Sequence, residues 1–175
     1  MVIPPLLYSD DRLLVFNKPS GLLSVPGIGP EKADCLIARV QKKYPEARTV
    51  HRLDRDTSGV IVMGLDKESH RELSRQFQDR ETKKTYHALV EGHLAHDSGE
   101  IDLPLRKDLE NTPLHIVDHE RGKPSQTMYT VTSRGTLGDL EETLAVPTED
   151  ASMPISRLEL TPRTGRSHQL RVHLL

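Results

Sequence analysis

Two carboxylates, Asp54 and Asp56, lie within the string HRLDRDTSG at residues 51–59, in the company of His51, Arg52, Arg55, Thr57 and Ser58. The string hands over at Gly59 to an apolar run, Val60-Ile61-Val62-Met63. Extended backbone alternates faces with a period of two, so Arg52 and Asp54 are expected on the same side. There the guanidinium would favour the ionised carboxylate, which suits a nucleophile or a general base. The competing reading of such an aspartate is structural, as a turn cap or the partner of a neighbouring arginine. The whole nine-residue string is far more specific than a lone D-x-x-[ST].

Other chemistries have weaker support. His51, His70, His168 and His173 could be assembled with Asp54 or Glu159 into a hydrolytic metal site, but HExxH, HxH and His/Cys ligand spacings are all missing. Ser58 and Cys35 sit in no nucleophile elbow and beside no evident base. No Rossmann glycine fingerprint or Walker loop is present, so no cofactor is expected.

The elements that must position these residues read as α+β with a largely antiparallel sheet. Leu13 to Phe16 reads as a short strand leading into a Pro-Ser-Gly turn. Ala33, Leu36, Ile37, Val40 and Tyr44 fall at helical spacing, which predicts an amphipathic helix ending at Pro45 with Cys35 on its polar side. Val60 to Leu65 reads as a buried strand, and Asp66 as the N-cap of a helix reaching roughly Arg80, with Leu73 and Phe77 as its apolar contacts. Strands are expected at Thr85 to Val90, Leu114 to Val117, Met128 to Thr132 and Arg157 to Leu160.

At 175 residues the chain is of one-domain size, and with 3% aromatics and no Trp its core must be mainly aliphatic. A single cysteine excludes an internal disulfide and fits a reducing compartment. No apolar run approaches a membrane span and no signal peptide is evident, so a cytoplasmic protein is expected. The net charge of −2 argues at first against nucleic acid. Its distribution reverses that argument: Leu137 to Ser156 carries −5 with no Lys or Arg, which leaves +3 on the remainder. The cations cluster as Arg48, Arg52 and Arg55 around Asp54, as Arg71, Arg75, Arg80, Lys83 and Lys84, and as Arg163, Arg166 and Arg171. Such clusters suit phosphate tracking as well as a solvated face.

HRLD followed by two variable residues and TSG resembles the active-site motif of the RluA family of RNA pseudouridine synthases. The likeness extends to LLVFNKPSGLLSVPG (13–27), KKTYHALVEGH (83–93) and TGRSHQLRVH (164–173), in the family's order. Together with RQF and GKPSQT, these segments look closest to the branch that modifies both ribosomal and transfer RNA. The resemblance implies a mixed, mostly antiparallel sheet with flanking helices and a central RNA-binding cleft, formed by residues 1–175 as one catalytic domain. It implies isomerisation of specific uridines to pseudouridine without metal or cofactor, in 23S ribosomal RNA, in the anticodon stem-loop of transfer RNA, or in both. By motif position, Asp54 carries over as the essential carboxylate. Tyr86 carries over as the active-site tyrosine and Arg166 as the basic partner of the carboxylate. A paired uridine must leave its stack to react, and Arg52 is the candidate for filling the vacated space or gripping the adjacent phosphate. His51, Arg55, Thr57 and Arg171 complete the expected RNA-contacting set. The expected partner is a stem-loop of RNA, whose bases can be splayed out, and the expected state is a monomer.

Two departures from the family pattern stand out. In the family, RVH is followed by a GHPI-GD-Y segment and further strands, so the chain is expected to lack that C-terminal end. The acidic stretch 137–156 reads as a surface insertion between two strands. The rival reading is therefore a catalytically incompetent or truncated RNA-binding paralogue.

Overall fold

The computed structural model describes residues 2–140 and 150–175. The chain divides into two compact units, Met1–Thr82 and Lys83–Leu175.

In the first unit, strands β1 (Leu6–Ser9), β2 (Leu13–Lys18), β3 (Arg48–Thr49) and β4 (Gly59–Gly64) form an antiparallel sheet in the order β1-β2-β4-β3. The period of two in β2 sends Leu14, Phe16 and Lys18 to the buried face, and all three are 0% exposed. On β4, Ile61 and Met63 are equally buried, whereas Val60 is 63% exposed. The run expected to be a buried strand is thus half-buried, because an antiparallel sheet can pack on one face and leave the other to solvent.

Helix α1 spans only Leu36–Val40, not the predicted 33–44. Cys35 is extended (φ −153°, ψ 167°), bridges Leu23 and is 0% exposed, so the expected polar-side position is wrong. The apolar spacing is real, but the turn before Leu36 is taken up by pairing to the segment after β2, where the Leu36 N–H donates to the Leu23 carbonyl at 2.7 Å. Helix α2, Lys67–Gln78, starts where the sequence says it should: the Asp66 carboxylate accepts from the Ser69 N–H at 2.8 Å. Gly64 lets it pack closely, since a Cβ there would stand 2.8 Å from the His70 nitrogen.

The second unit holds β5 (Tyr86–Glu91), β6 (Ser98–Asp102), β7 (Leu105–Lys107), β8 (His115–Val117), β9 (Gln126–Thr136), β10 (Pro154–Pro162) and a short helix α3 (Gln169–His173). Four strands pair antiparallel in the order β5-β10-β9-β6, and β7 and β8 form a separate ribbon. Leu158 and Leu160, each 1% exposed, anchor its core from the middle strand β10. The α+β class and the dominance of antiparallel pairing hold.

Part of the acidic stretch, residues 141–149, lies outside the described residues. At its edges Asp139 accepts from the Thr136 N–H at 2.6 Å and Asp150 from the Ser152 hydroxyl at 2.6 Å, so these two carboxylates close local turns. Its last three residues are strand, not insertion: Ser156 is 0% exposed and its hydroxyl donates to the Gly92 carbonyl at 2.8 Å.

Candidate active site

Asp54 sits on the loop between β3 and β4, at the head of a turn closed by the Thr57 N–H donating to the Asp54 carbonyl at 3.2 Å. Leu53 anchors the loop at 7% exposure, while Arg52 on one side of it is exposed and Asp54 on the other is half-buried.

The loop is clasped by the segment that follows β2. The Gly21 N–H donates to the Arg55 carbonyl at 2.9 Å, which Gly21 reaches with a φ of 82° that a side chain would strain. The Ser20 hydroxyl donates to the Asp56 carbonyl at 2.8 Å. The Ser24 hydroxyl donates to the Leu53 carbonyl at 2.7 Å and accepts from the Leu53 N–H at 3.1 Å.

Lys18 completes the clasp. Its ammonium donates to the carbonyls of Leu22 (2.7 Å), Pro19 (3.0 Å) and Arg55 (3.0 Å), so each of its three N–H groups has an acceptor. Burial lowers its pKa, and the carboxylates of Asp56 and Asp54 oppose that shift. A fully buried cation therefore lies beneath the carboxylate loop. Sequence reasoning passed over Lys18, Ser20, Gly21 and Ser24. The available signal was a lysine at the buried phase of an apolar strand, immediately before Pro-Ser-Gly.

The other first-unit candidates separate by role. His51 is built into the scaffold: its Nε2 accepts from the Val62 N–H at 3.1 Å, and its ring stacks on Phe77 at 4.3 Å and 15°. β3 pairs with β4 only opposite Met63 and Gly64, and the His51 ring takes over the next free N–H. Arg55 is exposed and pairs with Asp56 at 3.4 Å. Thr57 is half-buried in the turn that Asp54 opens. No ion pair holds Arg52 among the described residues, which leaves its guanidinium available to a ligand. Arg75, read from sequence as part of a cluster suited to phosphate tracking or to a solvated face, is held by Glu72 (2.8 Å), Glu81 (2.9 Å) and Asp79 (3.2 Å).

Tyr86, Arg166 and Arg171 belong to the second unit. Tyr86 opens β5 opposite Leu160, on the half-buried phase that it shares with Ala88 and Val90. Arg166 lies on the turn between β10 and α3, where its Nε donates to the Pro124 carbonyl at 3.2 Å. Arg171 is exposed on α3. The histidines weighed as metal ligands serve local structure: His70 Nε2 lies 3.0 Å from the Thr49 carbonyl, and the His173 ring nitrogens lie 3.0 Å from the Thr127 hydroxyl and 3.1 Å from the Leu103 carbonyl.

Chemically, the first unit offers a carboxylate on a rigidly held turn with an uncommitted arginine two residues away. The second offers a strand tyrosine and a turn arginine.

The RNA pseudouridylate synthase family model matches residues 12–175. The chain is 53% identical over 169 residues to the dual-specificity RNA pseudouridine synthase RluA of Yersinia pestis, covering 97% of this chain and 74% of that protein. It is 49% identical over 170 residues to the protein of the same name from Escherichia coli K12, covering 97% of this chain and 70% of that one. Among solved structures it resembles human RNA pseudouridylate synthase domain containing 1, with a TM-score of 0.74 and 28% identity, over 96% of this chain and 62% of that one. Human RNA pseudouridylate synthase domain containing 4 matches with a TM-score of 0.69 and 25% identity, over 97% and 62%. The chain thus spans less than two thirds of the solved chains it resembles. By its motifs, its fold and its likeness to these proteins, the chain belongs to the RNA pseudouridylate synthase family.

Proposed function

We propose that the protein isomerises uridine to pseudouridine in stem-loop RNA, ribosomal and transfer RNA both serving as substrates, and that its two units act together as one catalytic domain. In this reaction the N1–C1′ bond breaks, C5 joins C1′, the C5 proton leaves and N1 takes up a proton. Asp54 supplies the carboxylate, at the sugar or at the base. Tyr86 stacks on the uracil and assists removal of the C5 proton. Arg166 is the basic partner of the carboxylate, and Arg52 fills the space the flipped uridine leaves or grips the adjacent phosphate. Arg55, Thr57 and Arg171 flank the RNA. His51 acts from behind the loop, since its ring is engaged by Val62 and Phe77.

The observation that carries this reading is the clasp around residues 53–57. Preorganisation of a charged group is worth most where the backbone cannot relax. Here Lys18, Ser20, Gly21 and Ser24 all bind the carbonyls or amides of that one loop. An aspartate that merely capped a turn would not need this support.

The test is release of tritium from RNA carrying C5-labelled uridine. Wild-type protein should release it without added metal or nucleotide, and Asp54→Asn should not, while RNA affinity stays within about 1 kcal/mol because shape is kept and charge is lost. Turnover by purified Asp54→Asn would remove the assignment. RNA binding without turnover by the wild-type would support the rival reading as a binding paralogue. The protein is proposed to act in the cytoplasm as a monomer; among the described residues no helix is long and apolar enough to cross a membrane.

A further inference from the structure

The segment TGRSHQLRVH contributes more than an arginine. Behind Arg166 lies a buried polar network built from Thr164, Gln169 and His173 of this segment and from Gln126 and Thr127 of β9. Gln169 is 3% exposed, Thr127 0%, Thr164 6% and His173 7%. The Gln169 amide uses all of its hydrogen-bonding capacity. Its Oε1 accepts from the Thr164 hydroxyl at 2.8 Å and from the Arg166 N–H at 3.0 Å. Its Nε2 donates to the Gln126 carbonyl at 2.9 Å and to the Thr127 hydroxyl oxygen at 3.0 Å. Flipping the amide would set an NH2 group against the Arg166 N–H, so only one orientation is compatible with these partners.

The network is directional beyond Gln169. The Leu103 carbonyl can only accept, so His173 Nε2–H donates to it at 3.1 Å, and Nδ1 of the neutral ring then accepts the Thr127 hydroxyl proton at 3.0 Å. Gln169 also grips Arg166 from the other side, since its main-chain N–H donates to the Arg166 carbonyl at 3.2 Å. Between them His168 adopts a left-handed conformation, φ 56°, which a non-glycine residue keeps only where its surroundings over-determine it.

Building on the proposed reading of Arg166 as partner of the carboxylate, we propose that Gln169 is a positioning residue for the reaction. It holds the Arg166 turn in one conformation, so that the guanidinium leaves the turn in one direction, and Thr127 and His173 hold Gln169. Buried polar groups in a fully satisfied network specify one arrangement, whereas an apolar substitute of the same volume would leave the Arg166 N–H without an acceptor and the Thr164 hydroxyl only its long 3.5 Å contact to the Gln126 carbonyl.

The test combines kinetics with amide exchange, using the full chain. In Gln169→Leu the Arg166 amide should lose its protection against hydrogen exchange, and the single-turnover rate on C5-tritiated RNA should fall roughly 10- to 100-fold with little change in KM. In the double variant with Arg166→Met, the rate should be no lower than in Arg166→Met alone, because Gln169 acts through that side chain. If Gln169→Leu does not fold, the pair Thr127→Val and Thr127→Ser decides: the serine keeps the relay and should retain activity and protection, and the valine should lose both. A folded Gln169→Leu or Thr127→Val protein with a protected Arg166 amide and a rate within twofold of wild-type would overturn the proposal, as would effects that add fully to those of Arg166→Met. The functional reading fails by a different sign. Wild-type protein without turnover, or Arg166→Met at wild-type rate, would remove it, while the amide exchange still judges whether Gln169 holds the turn.

Discussion

Replacing Lys18 by methionine is the sharpest test of how the carboxylate loop is held. The stem of the side chain fits, since methionine has similar length and the site is 0% exposed. What disappears are three hydrogen bonds from an ammonium, to Leu22, Pro19 and Arg55. The three carbonyls are not equivalent. Arg55 keeps the Gly21 N–H as a donor, so it is not orphaned. Leu22 is the acceptor in the buried contact, and an unsatisfied buried carbonyl costs about 1–3 kcal/mol. Pro19 is only partly buried, and water can take over part of its bond. The relief of no longer burying a charge works in the other direction and offsets some of the loss. The net expectation is a destabilisation of ~2 kcal/mol, dominated by Leu22 and by the lost attraction to Asp56 and Asp54. With a urea slope of about 2 kcal/mol per M, the midpoint falls by about 1 M. Urea unfolding followed by circular dichroism measures this, and hydrogen exchange at the Gly21 and Thr57 amides reports the loop. Lys18→Arg should also lose stability, because a planar fork in this closed site cannot aim at all three carbonyls. A Lys18→Met midpoint unchanged from wild-type, with Gly21 still protected, would refute the clasp as a source of order. Wild-type behaviour of Lys18→Arg would show that charge alone suffices.

Arg166→Met should impair turnover more than Arg166→Lys, because lysine keeps the charge that methionine removes; equal rates in the two variants would separate Arg166 from the carboxylate. Stability should fall on acidification in two stages. Burial lowers the pKa of His173 against the pull of the Leu103 carbonyl and Asp102, so the unfolded chain takes up this proton first. Stability from the neutral ring is complete above 6.5 and drains as the pH falls below that value. The Arg106 guanidinium, with the amides of Arg121 and Glu120, holds Asp118 at about 2, so its contribution is complete above 3.8 and is lost between 3.8 and about 2. Thermal melts against pH should show both stages, with Asp118→Asn reducing the lower one, to which Glu72, held at about 2 by Arg75 and Gln76, also contributes; a lower stage of unchanged size in that variant would contradict the assignment. Binding to a uridine-containing stem-loop should weaken steeply with salt, and Arg52→Ala should reduce the slope of log K against log salt by about 1 if Arg52 grips a phosphate. A salt-independent affinity would make RNA an unsuitable substrate.

How much of this protein is legible in one dimension depends on how local the cause is. Local causes were readable: Asp66 caps α2 because its carboxylate needs only the amide three residues on, and β2 and β4 follow from apolar runs bounded by turn residues. The resemblance carried the family, since each motif is a contiguous stretch, and it is the resemblance that proposes Asp54, Tyr86 and Arg166. Very short elements were not readable: β1, β3, β6 and β7 were missed because so few residues show no clear alternation. α1 was read too long, because Cys35 is extended by its pairing with Leu23 and not by any preference of its own. The same holds for roles. Only the tertiary structure decided that His51 completes a sheet edge, that Arg75 is held by acids of its own helix and its C-terminal flank, and that Lys18 lies buried under the carboxylate loop. Composition assigns a lysine to the surface. What puts this one in the core is a strand phase set at Leu14 and Phe16, together with three carbonyls brought to one point from residues 19, 22 and 55, a convergence that exists only after the chain has folded.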